Sequence, residues 1–185
     1  MGLLTAFNAG QPIRASDLNN LPVVGATMSF ASVSNSIAET VVGTFTFPGG
    51  TFTAANQGIR FQAVGSCGGT GSPNLTARVR AGGLAGTLIA QSGPAAVTSA
   101  SAWFTFDGFL YFTTVGVSGL IAGTINSIEA FGGGSPAPPS GQTFDTLNAV
   151  SWNTTVSTTL VVTAQFSVAN AANTAAGIAG NAYLL

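Results

Sequence analysis

Few side chains in this 185-residue chain can do acid–base or metal chemistry. The carboxylates are Asp17, Glu39, Asp107, Glu129 and Asp145, the cations are Arg14, Arg60, Arg78 and Arg80, and Cys67 is the one thiol. Histidine and lysine are absent. Ser-His-Asp and Cys-His arrangements need an imidazole base, so nucleophilic catalysis of that kind is excluded. Two carboxylates suffice for glycoside hydrolysis, and Asp107, Glu129 and Asp145 are the available set, but no motif surrounds them and no spacing brings two into one cleft. The same groups could hold a hard cation, which would then be structural. Cys67 lies in the glycine-rich "GSCGGTGS" with no base to activate it, and is expected to be a small residue at a strand end. A lone cysteine also excludes an internal disulfide framework and a cysteine-rich zinc site. "GGTGS" and "GGLAG" lack the Gly-Lys-Ser/Thr ending of a phosphate loop and read as turns. "NLT" at Asn74 and "NTT" at Asn153 match glycosylation acceptors, but such matches arise by chance in a chain rich in Asn and Thr. The expectation is a protein without catalytic residues, cofactor or metal.

One run concentrates aromatic side chains: Trp103, Phe104, Phe106, Phe109, Tyr111 and Phe112. Exposed, they would form a stacking platform for carbohydrate; buried, they would be core or subunit contact. Trp103 and Thr105 alternate with Phe104 and Phe106, so both faces of this strand are expected to be covered, one by the opposite sheet and one by another chain.

The elements that must position these residues are strands. Apolar alternation is clearest in "LTARVRA" (75–81), with Leu75, Ala77 and Val79 inward and Thr76, Arg78 and Arg80 outward. Further strands are expected at 27–33, 41–47, 59–66, 86–91, 102–115, 120–131, 157–168 and 177–185, bounded by Gly, Pro, Asn or Ser, with Gly108 as a bulge or bend. That rhythm predicts an all-β sandwich or barrel. The outward arginines Arg60, Arg78 and Arg80 are expected on a solvent rim, or else paired with Asp107, Glu129 or Asp145 in a subunit contact. "GGGSPAPPSG" (132–141) reads as a long exposed loop, because the residues after it are too few for a second core.

Charged residues make up 5% of the chain and the net charge is −1, against about 25% charged residues in an average soluble domain. Little self-repulsion keeps copies of such a surface apart, which favours assembly. Four arginines are too few for a nucleic-acid site. "FLYFTTVGVSGLIAGTI" (109–125) falls short of the roughly 20 apolar residues of a membrane span. "MGLLTAF" has neither the cationic start and apolar core of a secretory signal nor a myristoylation site. No nucleic-acid or membrane partner is expected.

The opening "FNAGQPIRASDLNNLP" (7–22) differs from the rest in carrying Arg14 and Asp17 three residues apart. Ser16 or Asp17 can cap one helical turn that ends at Pro22. Phe7, Ile13, Leu18 and Leu21 are too scattered for a core and need a surface to bury against, which makes residues 1–25 an arm that docks elsewhere.

Two features of the chain resemble jelly-roll structural proteins of tailed bacteriophages, the head fibres, capsid decoration proteins and minor tail proteins. "FNAGQPIRASDLNNL" is similar to the short N-terminal segments of phage tail and fibre proteins. "ETVVGTFTFPGGTFTAANQGIRFQAVGSCGGTGSPNLTARVRAGG", followed by an aromatic strand opening at Trp103, is similar to the strand rhythm of that group. The resemblance implies an eight-stranded antiparallel jelly roll over 26–185, related in shape to tumour-necrosis-factor-like trimers. It further implies a homotrimer on the virion surface, non-enzymatic, held by Phe7, Ile13, Arg14, Asp17, Leu18 and Leu21 against another virion protein. The alternative expectation is a receptor-binding tip that recognises host-surface glycan.

Overall fold

Alternating apolar residues with β-branched and aromatic neighbours can bury one face of each strand only by stacking two sheets. A computed structural model, describing residues 26–91, 94–97, 102–130, 140–144 and 150–185, has that architecture, with no helix among the described residues. Its strands are β1 (Ala26–Thr27), β2 (Ser29–Phe30), β3 (Ser32–Ser34), β4 (Thr40–Phe47), β5 (Gly58–Gly68), β6 (Asn74–Ala81) and β7 (Thr87–Gln91). They continue with β8 (Ala95–Ala96), β9 (Ala102–Thr114), β10 (Leu120–Ala130), β11 (Ser140–Phe144), β12 (Val150–Ser151), β13 (Thr158–Phe166) and β14 (Thr174–Leu184). Every pairing is antiparallel. The larger sheet runs β1-β14-β5-β9-β10-β11, with β3 also on β14 and β12 on β10; the smaller runs β2-β4-β13-β6-β7, with β8 on β6.

Phenylalanine fills the space between the sheets. Phe45, Phe47, Phe61, Phe104, Phe106, Phe112 and Phe166 are all fully buried. Phe45 of the smaller sheet meets Phe61 of the larger edge-to-face at 6.1 Å, and Phe52 tilts onto Phe112 at 4.3 Å. Each such ring contributes about 1.5–3 kcal/mol on leaving water. Gly82 and Gly83, both at positive φ, make the turn from β6 into β7.

Three local expectations are corrected. The strand expected over 27–33 is three short pieces, because the chain there crosses the open side of the sandwich: β1 and β3 pair with β14, and β2 between them pairs with β4. Met28 drops from this crossing into a notch at Gly43 and Gly180, where any Cβ would overlap its side chain. Gly108 is neither bulge nor bend. It pairs in register with Phe61 and Ile125, and its missing side chain makes room for the Phe61 ring, as Gly65 does for Phe104. The loop expected over 132–141 loses its last two residues to β11, which pairs with β10. The fourteen strand segments among the described residues exceed the nine ranges expected, because 27–33 is split and β8, β11 and β12 are added.

Candidate functional site

The outer faces of the two sheets carry the side chains that the core does not use. On the larger sheet, the outward residues of β9 are Trp103, Thr105, Asp107, Phe109, Tyr111 and Thr113. Register sets Tyr183 of β14, Arg60 of β5 and Phe109 side by side in one row, with Asn181, Gln62 and Asp107 in the next. Trp103, Phe109, Tyr111 and Tyr183 are 52%, 44%, 37% and 45% exposed, and the Phe109 and Tyr111 rings stack at 6.1 Å. Of the described aromatic side chains only one other, Phe30, is exposed. Arg60 reaches diagonally to Asp107, with Nη2 3.4 Å from Oδ2, and both remain in water.

The outer face of the smaller sheet is polar and internally bonded. Arg78 and Arg80 of β6 both turn to Glu39, the residue before β4. Arg80 donates from Nε and Nη2 to the two carboxylate oxygens at 2.7 and 2.9 Å, and from Nη1 to the Gly86 carbonyl. Arg78 lies 3.5 Å from the same carboxylate and donates to Gln91 and Gln165. The buried Thr163 hydroxyl also donates to Glu39. Arg80 above all holds the Glu39 carboxyl below the ordinary carboxylate range, its partial burial opposes this, and Thr163 and the charge of Arg78 assist. The same bond raises Arg80. Beside this cluster is an open groove of about 330 Å³ lined by Ile37, Asn74, Thr76, Pro94, Gln165, Phe166 and Ser167.

No protein-family model, curated protein or solved structure matches this chain.

The aromatic run is divided by strand parity. Phe104, Phe106 and Phe112 lie in the core, while Trp103, Phe109 and Tyr111 stand on the outer face. Arg78 and Arg80 turn to Glu39 of the same chain, an acid that sequence reasoning left out of their possible partners. Arg60 does pair with Asp107, but within one chain and in water. Tyr183 is the other missed residue; its only local signal is the alternation of Asn181 and Tyr183 with Ala182 and Leu184 in "NAYL".

Two described carboxylates, Glu39 and Asp107, stand on opposite outer faces, farther apart than the sheet separation of about 10 Å. That exceeds the carboxylate separation of glycosidases, about 5–9.5 Å. Glu129 occupies a register position opposite Phe104. Among the described residues no group of three or more His, Cys, Asp or Glu could hold a metal, and no helix is long and apolar enough to cross a membrane. Cys67 is buried in the last turn of pairing between β5 and β14. The expected docking residues Phe7, Ile13, Arg14, Asp17, Leu18 and Leu21, the acid Asp145 and residues 132–139 of the proline-rich loop lie outside the described residues.

Proposed function

We propose that the chain is a non-enzymatic structural protein of a bacteriophage virion: a homotrimeric jelly roll on the particle surface, held by its N-terminal arm. The observation that carries this is strand order. Take β1 with β3 as strand one, then β4, β5, β6, β7, β9, β13 and β14 as strands two to eight. The larger sheet then reads 1-8-3-6 and the smaller 2-7-4-5. That order is the one an eight-stranded jelly roll would give, an architecture of viral capsid proteins among others, and it supports the reading. On this reading the β10–β11 hairpin and β12 are an insertion after strand six that widens the larger sheet. Fold alone does not carry function. The virion assignment draws also on the phage-like opening segment and on a surface with almost no charge to keep copies apart.

The arm residues 1–22 are the proposed contact to another capsid or tail protein. A short segment that orders only on contact binds weakly as one copy, and three copies on one trimer raise the apparent affinity. Mass spectrometry of purified virions tests the role. The chain should be present in a copy number divisible by three, and deletion of residues 1–22 should remove it from particles while leaving its β-type circular dichroism unchanged. Virions without the chain overturn the assignment.

A second reading, recognition of host-surface glycan, is favoured by the groove on the smaller sheet. Its amides and hydroxyls (Asn74, Thr76, Gln165, Ser167) sit beside apolar Ile37 and Pro94, the mixture that a sugar's hydroxyl and C–H faces require. Binding on a glycan array that is lost in Thr76→Trp supports it, and a blank array removes it.

A further inference from the structure

We propose that the outer face of the larger sheet is the surface through which copies of this chain meet, with Phe109, Tyr111 and Tyr183 at its centre and Trp103 toward one end. This inference rests on the self-assembly proposed above and names the surface that performs it.

Four half-exposed aromatic rings on one sheet face are too concentrated to be scattered surface residues. Tyr and Trp bring a large apolar body and a polar tip, which suits contacts that are solvated before assembly and dry after it. The extent of the face also fits. Trp103 and Tyr111 are eight residues apart on β9, about 27 Å, and the four strands β14, β5, β9 and β10 add about 19 Å of width. With side-chain relief, such a patch approaches the roughly 800 Å² per partner of a stable interface. One sugar ring would cover only a small part of it.

Charge selects the occupant. The described ionic groups of this face are Arg60 and Asp107, one of each sign and already adjacent. A face that is neutral within itself meets a copy of itself without like-charge repulsion, whereas a strongly basic or acidic partner finds no complement. Next to the pair are Gln62 and Asn181, with Ser66 farther along β5 beside Trp103, neutral side chains able to exchange hydrogen bonds with a copy. The smaller sheet lacks these properties: its arginines are committed to Glu39, its outward positions are mainly Thr, Gln and Arg, and its exposed Phe30 and Leu88 lie apart on its two end strands.

The test uses the full chain. Wild type, Phe109→Asp and Leu88→Asp (an exposed position on the smaller sheet) are compared by sedimentation velocity across a dilution series. Circular dichroism reports the fold of each. Phe109→Asp should weaken assembly by about 100-fold or more, the scale of a central aromatic anchor, and Leu88→Asp should leave it unchanged. A photo-reactive phenylalanine analogue at Tyr111, which disturbs the fold least, should cross-link one copy to another. Wild type monomeric at all concentrations overturns both the assembly reading and this surface. Wild type assembled, with Phe109→Asp equally assembled or with Tyr111 cross-linking only to residues 1–25 of its own chain, overturns the surface alone.

Discussion

The two outer faces of this sandwich are built from strands of the same alternation, and each carries arginine paired with acid, one on the larger sheet and two on the smaller, yet they are opposite in kind. On the smaller sheet Arg78, Arg80 and Thr163 converge on one carboxylate, and all three ionic side chains are less than one-fifth exposed. On the larger sheet Arg60 and Asp107 touch at 3.4 Å with about half of each side chain in water, among rings that nothing in the described chain covers. The first arrangement is complete within one chain. It ties the segment before β4 to β6 and β13, and so stabilises the fold. The second leaves apolar area exposed, which on the proposed reading is buried when copies meet. On the proposed reading, the same residue types serve folding on one face and assembly on the other, according to what surrounds them.

The sharpest way to break this contrast is to remove Glu39. Glu39→Ala leaves two arginines facing each other across a partly dry surface. It should cost about 2–3 kcal/mol of unfolding free energy, somewhat below the loss for a fully buried pair, as measured by urea denaturation. Subunit number should not change. Dissociation of the oligomer in this variant would show that the polar face also serves assembly.

Acid should produce a smaller version of the same loss. Glu39 titrates lower in the folded chain than in the unfolded one, so its contribution is complete above the unfolded value of about 4.3. It fades as pH falls through the lower folded value, because the unfolded state then binds the proton more readily. Thermal melts from pH 6 to pH 3 should show a decline that is blunted in Glu39→Gln. An identical decline in that variant would assign acid sensitivity to another group.

The exposed pair should matter least to the fold. Arg60→Ala or Asp107→Ala should change chemical stability at subunit concentrations below assembly by less than about 1 kcal/mol, as for other solvated ion pairs. A loss as large as that of Glu39→Ala would erase the distinction between the two faces.

Much of this is legible in the sequence, because strand alternation is local. "LTARVRA" places Arg78 and Arg80 outward with no knowledge of a partner strand, and the run from Trp103 to Phe112 contains its own division into core and surface. What escapes is set by pairing at long range. Glu39 follows Ala38 with no motif around it, and only the β4–β13–β6 pairing carries it to Arg80, 41 residues later. Tyr183 joins Arg60 and Phe109 through two registers that the ends of the chain do not reveal. Gly108 reads locally as a break because its reason is the ring of Phe61 on the neighbouring strand. The division of 27–33 into three strands likewise depends on β14 and β4 lying on either side of it.

The contrast between the faces is tested most directly by hydroxyl-radical footprinting of the full chain at concentrations above and below assembly, read by mass spectrometry. Trp103, Phe109, Tyr111 and Tyr183 should be oxidised freely in the dilute sample and protected in the concentrated one, while Leu88 on the smaller sheet and Ile37 in the groove beside it react equally in both. Protection of Ile37 and Leu88 with the four aromatic residues unchanged would contradict the assignment of assembly to the larger sheet.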